Sequence, residues 1–189
     1  MIKSKRDLAV YLEMDRKALG INKSRPSWFG DEIWRYQILL RKFEYLVNCG
    51  SGFLAKIHKR IIYHRLHCLE VKLGFSIPVN VFGPGLSIAH YGCIAVNQNT
   101  RVGRNCRIHE GVTIGATGDN SDAPQIGNNV FIASGAKIIG NITIADRVAI
   151  GANAVVVKSV LEENVTVAGV PARKISDKGS KEFIVWDVD

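Results

Sequence analysis

The sequence predicts a parallel β-helix preceded by an α-helical segment, and two observations support this. Before about Pro78, apolar residues recur at the spacing of a helix. After it, aliphatic residues return every six positions, in one series of Ile126, Ile132, Ile138, Ile144, Ile150 and Val156 and a second of Val130, Ala136, Ile142, Val148 and Ala154. A period of six fits neither a helix nor simple strand alternation, whereas repeats of this length stack short strands into a parallel β-helix.

Three helices are expected in the first segment. A short helix lies near residues 4–17, a second begins at Asp31 and ends at Gly50, and a third ends at Gly74. The second helix is predicted from apolar residues at helical spacing, namely Ile33, Trp34, Ile38, Leu39, Phe43, Leu46 and Val47. On the third helix, His64, His67 and Cys68 share a face that either packs between helices or holds a transition metal.

The repeat of six also extends backward from Ile126. Counted backward, the repeat first crosses residues 115–125, two periods without aliphatic residues. It then falls on Ile114, Ile108, Val102, Val96 and His90. Partial burial of His90 is therefore expected. These patterns divide the chain into a basic α-helical segment (1–75), a β-helix (76–176) and a tail (177–189).

Charge separates the same segments. Residues 1–75 carry 15 Lys and Arg against 7 Asp and Glu, so the whole net charge of +8 lies there. We interpret this excess as solvated helix faces or a peripheral contact with an anionic surface. No nucleic-acid-binding motif accompanies it. With no membrane span or signal peptide, and four cysteines without a CxxC pair, the sequence predicts a cytoplasmic protein with reduced thiols.

A family resemblance rests on residues 126–175. This stretch, with the motif VAGVPAR, the run GANAVVVKSV and the helical N-terminal segment, resembles the left-handed β-helix acyltransferases of the hexapeptide family, and the serine acetyltransferase branch in particular. The resemblance implies a left-handed β-helix, acetyl-coenzyme A as co-substrate, a hydroxyl group as acceptor, and a homotrimer. A structural or scaffold β-helix without catalysis is the alternative, because fold alone does not determine chemistry.

Two histidines are the catalytic candidates. His90 matches the catalytic histidine of the serine acetyltransferases, although A-H-Y-G-C stands here for D-H-A-T-G. His109 replaces a glutamine of that branch and is similar to a histidine of colanic-acid-type polysaccharide acetyltransferases. With about 18 residues per coil in this family, the two histidines should lie on neighbouring coils, about 5 Å apart. Either can accept the proton of an acceptor hydroxyl as a general base.

The resemblance also indicates how the co-substrate binds. Small residues along the groove, Ala133, Ser134, Ala152 and Val157, are expected to bond the pantetheine arm through their backbone, and Lys158, Arg173 and Lys174 to meet the phosphates. We expect direct transfer in a ternary complex, without a covalent intermediate on Cys93 or Cys106. No metal is predicted, because a zinc enzyme of the carbonic-anhydrase type needs three histidines and the repeat region has two.

The chain departs from the serine acetyltransferases where they bind the acceptor. Phe75 stands in place of their orienting aspartate, and Asp122 and Ala123 replace a basic pair in their loop. The acceptor is therefore left open between L-serine and a sugar of a surface polysaccharide, with Glu110, Asp119 and Asp122 as candidate carboxylates. The tail lacks the terminal isoleucine with which serine acetyltransferases engage a sulfhydrylase, so no such complex is expected.

Overall fold

The computed structural model describes residues 1–118 and 122–185. Its three helices are α1 (Lys5–Ala18), α2 (Glu32–Cys49) and α3 (Gly52–Leu73). Their boundaries follow local chemistry: the Ser4 side chain accepts the Asp7 N–H at the start of α1, and Gly74 ends α3 in the left-handed conformation. None of the helices in these residues has the length and apolar character required to cross a membrane.

Within the described part of the chain, fourteen short strands follow α3. They are β1 (Phe75–Ser76), β2 (Ser87–Ile88), β3 (Ile94–Val96), β4 (Arg101–Val102), β5 (Arg107–Ile108), β6 (Thr113–Gly115), β7 (Gln125–Ile126), β8 (Phe131–Ile132), β9 (Lys137–Ile139), β10 (Thr143–Ile144), β11 (Ala149–Ile150), β12 (Val155–Val156), β13 (Thr166–Gly169) and β14 (Ala172–Ser176). From β2 to β12 the chain visits three sheets in a fixed cyclic order, so that each circuit forms one coil and neighbouring strands pair in parallel.

The first sheet has the strand order β1-β3-β6-β9-β12, the second β10-β7-β4, and the third β14-β13-β11-β8-β5-β2. Only the final pair, β13 and β14, is antiparallel among the described strands. The aliphatic series predicted from the sequence fills the interior: Ile108, Ile132 and Ile150 are fully buried and occupy one register of the third sheet. The repeat of six thus specifies which side chains face inward.

The coil length changes at two places, and this corrects one prediction. Ile108 pairs with Ile88, twenty residues earlier, so the first coil is two residues longer than the regular coil, in which Ile150 pairs with Ile132. Ile88, not His90, therefore occupies the inward position, and the expected burial of His90 is wrong: its side chain is exposed. Further along, Ile126 pairs with Val102, and the six extra residues of that coil lie between β6 and β7.

The helices join the sheets through buried polar groups. Arg41 is fully buried and bonds the Asp15 and Glu44 carboxylates and the carbonyls of Phe82 and Gly83. The buried residues of α2 therefore include Gln37, Arg41 and Glu44 as well as apolar ones. A buried guanidinium is tolerated here because carboxylates and carbonyls satisfy it.

Candidate active site

The two candidate histidines lie at turns that connect the third sheet to the first. Each turn follows a paired isoleucine of the third sheet, so residues on successive turns stack along one edge of the coil. Counting from those isoleucines, His90, Glu110, Ser134 and Ala152 occupy one stacked position, and Ala89, His109 and Ala133 occupy the position before it. The coil geometry therefore gathers residues that are far apart in sequence.

The histidine pair has the predicted proximity. The ring centroids of His90 and His109 are 5.1 Å apart and the rings meet edge to face, at an interplanar angle of 84°. The prediction that these side chains lie on neighbouring coils at about 5 Å is confirmed. The His109 ring also meets the Phe131 ring edge to face, with centroids 5.0 Å apart, so a second aromatic contact holds His109 in place.

Ser134 links His109 to Glu110. The Oγ atom of Ser134 lies 3.4 Å from Nδ1 of His109, and the Ser134 hydroxyl also bonds the Glu110 carboxylate. An ionised carboxylate only accepts hydrogen bonds, so the single hydroxyl proton of Ser134 points to Glu110 and Oγ accepts the Nδ1–H of His109. Nδ1 then carries the ring proton, and Nε2 of His109 is left with a free lone pair. That Nε2 is buried without a hydrogen-bond partner, as is Oε2 of Glu110.

His109 and Glu110 both keep the protonation states that this hydrogen bonding requires. Burial, and then the positive charge of Arg107, lower the pKa of His109 below the usual imidazole range, so the ring is neutral near pH 7. The hydrogen bond from Ser134 lowers the pKa of Glu110, which keeps its carboxylate ionised. The site thus presents a neutral imidazole nitrogen beside a fixed negative charge.

Gly92 makes room for this arrangement. It has a φ of +131°, and a Cβ atom placed there would lie 3.0 Å from Cβ of Glu110. A larger residue would therefore strain the turn and displace the Glu110 side chain. Cys93, which follows, is exposed, whereas Cys106 is fully buried and its burial raises the pKa of the thiol to about 12. Cys106 is thus a small apolar core residue.

The predicted co-substrate residues fall into two groups. Ala133, Ser134 and Ala152 lie on the same edge as the histidines. Lys158, Arg173 and Lys174 line a cavity of about 460 Å³ near the last coil, and Val157 is exposed beside Lys158. The structure therefore brings the three cations together. Lys174 is not free, however, because its Nζ atom lies 2.5 Å from Glu162 and 2.6 Å from Asp177.

The structure also describes Phe75, Asp122 and Ala123, where this chain departs from the acceptor site of the serine acetyltransferases. Phe75 is buried and meets Tyr36 edge to face, so a core aromatic contact stands where the orienting aspartate was expected. Ala123 is buried and Asp122 is half-buried. Asp119 lies outside the described residues. Of the two candidate carboxylates that the structure describes, Glu110 is the one in contact with the histidine site.

The metal candidate on α3 is only partly assembled. Nε2 of His64 lies 3.9 Å from Sγ of Cys68, whereas Nδ1 of His67 lies 3.6 Å from Glu70 and its ring stacks on Tyr63. His67 is therefore engaged elsewhere, and His64 and Cys68 form a pair without a third ligand among the described residues.

The sequence alone did not identify the Ser134 hydroxyl as the link between His109 and Glu110. Ser134 was expected only as a backbone contact for the co-substrate. The register of strand pairing could have identified this contact. Because the coil from β5 to β8 has 24 residues, Glu110 and Ser134 stack directly on each other. That coil contains the stretch without aliphatic residues, where the period of six gives no register.

Comparison with known proteins places these features in context. Residues 123–158 match the model of the bacterial transferase hexapeptide family (six repeats). A serine acetyltransferase of Synechococcus elongatus is 40% identical over 146 residues, which cover 69% of this chain and 59% of that protein. One of Staphylococcus xylosus is 43% identical over 101 residues, which cover 52% of this chain and 46% of that protein. The chain therefore spans only about half the length of these relatives.

Solved structures extend the similarity to the helices. The serine acetyltransferase of Brucella abortus strain S19 superposes with a TM-score of 0.68 at 30% identity, over 93% of this chain and 70% of that one. A structure of the same enzyme with coenzyme A superposes with a TM-score of 0.65 at 29% identity, over 92% of this chain and 68% of that one. The Neisseria gonorrhoeae serine acetyltransferase in complex with serine superposes with a TM-score of 0.67 at 26% identity, over 92% of this chain and 71% of that one.

Proposed function

Because the chain belongs to the hexapeptide-repeat family of serine acetyltransferase-like proteins, we propose that it transfers an acetyl group from acetyl-coenzyme A to a hydroxyl group. The observation that carries the proposal is the pair His90 and His109, with ring centroids 5.1 Å apart on one edge of the coil. As in the hexapeptide acyltransferases that the sequence resembles, we take the coil to be a left-handed β-helix.

The chemistry needs a base beside the acceptor. An aliphatic hydroxyl is almost fully protonated at neutral pH, so a neutral imidazole must take its proton as the oxygen attacks the thioester carbonyl. The C–S bond then breaks, and the imidazolium returns the proton to the thiolate of coenzyme A. We assign the base to His90, which is exposed to an incoming acceptor and matches the family's histidine.

His109 has a supporting role in this mechanism. Its positive form is disfavoured by burial and by the nearby charges of Arg107 and His90, so the two rings do not both become charged. His109 therefore stays neutral while His90 takes the proton. The carboxylate of Glu110, held by Ser134, stabilises the imidazolium that forms on His90.

The co-substrate is placed by two sets of residues. Its phosphates are proposed to meet Lys158 and Arg173 in the cavity near the last coil, with Lys174 exchanging its carboxylate partners for phosphate. The pantetheine arm would then run along the edge formed by Ala152, Ser134 and Ala133 toward the histidines. The named coenzyme A complex of the Brucella abortus enzyme supports this choice of co-substrate.

The acceptor has two candidates. The named relatives, one of them solved with serine, favour L-serine. Asp122 and the buried Ala123 favour a sugar hydroxyl instead, because no basic pair is available at these two positions to bind the carboxylate of an amino acid. The buried Phe75, in place of the orienting aspartate, favours the same acceptor. A thiol-release assay with acetyl-coenzyme A, comparing L-serine with a panel of sugars and glycans, decides between them.

The first prediction tests the base. His90→Ala should lower kcat by about 100-fold or more with little change in thermal stability, because the side chain is exposed and its loss removes proton transfer. His109→Gln should lower kcat by less than about tenfold, because the serine acetyltransferase branch has a glutamine at this position. Release of coenzyme A thiol gives the rates, with His64→Ala on α3 as control.

Two outcomes of that assay contradict the proposal. A fully active His90→Ala variant would remove His90 from the mechanism. No thiol release with any acceptor, together with no thermal stabilisation by coenzyme A, would favour the scaffold alternative.

A further inference from the structure

We propose that His90, His109 and Glu110 form a binding site for a divalent transition metal of the Zn²⁺ class, which occupies the place of the acceptor hydroxyl. One ligand atom of each side chain lies within 4.8 Å of the others. Two imidazoles and a carboxylate are a ligand set that Zn²⁺ accepts, with a fourth position left open. This inference deepens the proposed function, because it assigns an inhibitory ligand to the same site.

The unpartnered atoms point to a ligand. Nε2 of His109 and Oε2 of Glu110 are both buried, and neither has a hydrogen-bond partner. Buried polar atoms are nearly always satisfied, so each of these two atoms is expected to have a partner that a bound ligand can supply. The Nδ1–H of His109 is directed to Ser134, which leaves Nε2 as the nitrogen with a free lone pair.

Ser134 gives the site the outer support that metal ligands require. A ligating histidine generally donates its other ring N–H to a fixed acceptor, which orients the ring. Here the same hydroxyl bonds the ring of His109 and the carboxylate of Glu110. Two of the three ligands are therefore already oriented on one coil before a metal binds.

His90 completes the site by moving. Ligand atoms around a tetrahedral zinc ion are about 3.3 Å apart, given metal–nitrogen distances of about 2.0 Å. The present separations of up to 4.8 Å must therefore close, and His90 is the exposed member of the three. A metal bound to His90 removes the lone pair that the proposed base needs, so metal binding and acetyl transfer exclude each other.

Metal binding is measured directly, without acetyl-coenzyme A. The protein is first given the changes His64→Ala and Cys68→Ser, which remove the imidazole and thiol pair on α3. Zn²⁺ is then titrated against a chromophoric chelator, and Co²⁺ is used to read coordination from its visible spectrum. We expect one ion per chain, intense visible bands typical of four-coordinate Co²⁺, and no binding of Mg²⁺, which prefers oxygen ligands.

Variants separate this site from adventitious binding. Glu110→Gln and His109→Gln should each weaken Zn²⁺ binding by more than tenfold, and Ser134→Ala by about tenfold through loss of orientation. His58→Gln on the exposed face of α3 is the matched control and should change nothing. Thermal unfolding of each variant verifies that it is folded.

Two results would overturn the inference: no Zn²⁺ binding in the α3 background, or binding that the Glu110 and His109 variants leave unchanged. Neither result bears on acetyl transfer, which is scored separately by thiol release in the presence of a chelator. Conversely, a protein that binds Zn²⁺ at this site but transfers no acetyl group would contradict the proposed function alone.

Discussion

At the scale of single residues, the main feature of the site is the control of proton positions. Ser134 fixes the tautomer of His109 because its only proton is directed to Glu110. Burial and Arg107 then keep that ring neutral. A site with one neutral imidazole and one exposed imidazole is suited to taking a single proton at a time.

The second prediction tests the electrostatic part of this arrangement. Arg107→Gln should raise the pKa of His109, because it removes a positive charge that disfavours the imidazolium. NMR titration of the imidazole C–H resonances measures the shift. Arg101→Gln, on a different sheet, is the control and should leave the titration of His109 unchanged.

The sign of the pH dependence follows from the same shift. Because the pKa of His109 is lowered in the folded state, the unfolded chain takes up the proton first as the pH falls through about 6.5. This residue therefore contributes to stability above that pH and loses the contribution below it. Arg107→Gln should reduce the loss in denaturant unfolding measured across this range, and an unchanged His109 titration in that variant would contradict the assignment.

The residues of the site were only partly predictable from the sequence. The spacing of His90 and His109 gave their proximity, since one coil separates them. The exposure of His90 was missed because the first coil is longer than the repeat implies. The contact between Ser134 and Glu110 depends on register across an irregular coil, which a periodic pattern does not determine.

At the scale of elements, a buried ionic cluster holds the helices on the sheets. Arg41 of α2 bonds Asp15 of α1 and two carbonyls of the chain that follows β1. Asp15 also accepts the N–H groups of Gly85 and Leu86 just before β2. The sequence could not predict this cluster, because charged residues in an amphipathic pattern are normally assigned to the solvent face.

The third prediction concerns that cluster. Arg41→Met should destabilise the protein by about 3–5 kcal/mol, because it leaves the buried carboxylates of Asp15 and Glu44 without their cation. Urea unfolding followed by circular dichroism measures the loss. Glu13→Gln, which breaks an exposed ion pair with Arg16 on α1, is the control and should cost less than about 1 kcal/mol. Equal effects of the two changes would argue against a structural role for the buried cluster.

The fourth prediction concerns the outer face of α3. Phe53, Leu54, Ile57 and Ile61 are between 44% and 79% exposed, on a segment that carries the whole positive excess of the chain. Exposed apolar side chains beside basic ones favour an anionic lipid surface over a second, equally basic copy. We therefore expect sedimentation with vesicles that contain phosphatidylglycerol and little with phosphatidylcholine alone.

Variants test whether this helix is responsible. Arg60→Glu or Leu54→Ser should reduce vesicle binding severalfold, whereas Lys178→Glu, an exposed charge reversal near the C-terminus, should not. If the α3 variants bind as well as the parent protein, the helix is not the contact.

At the scale of the whole molecule, the repeat determined the architecture more completely than any other pattern. The aliphatic series predicted parallel pairing and the inward residues of three sheets, and the pairing of Ile132 with Ile150 has the regular period. The repeat gave no information on the acceptor, because inward residues establish the fold while the chemistry depends on the turns. The acceptor therefore has to be determined by assay.

The last prediction is the homotrimer. His90, Tyr91 and Ala152 are exposed along one outer edge, so a single chain leaves this edge open to water. Acetyl transfer from a thioester benefits from excluding water, which otherwise competes as an acceptor. A neighbouring copy packed along the edge would close it and complete the groove for the pantetheine arm. Light scattering after size exclusion should give three times the 20.8 kDa of one chain, and active protein with the mass of one chain would contradict the prediction.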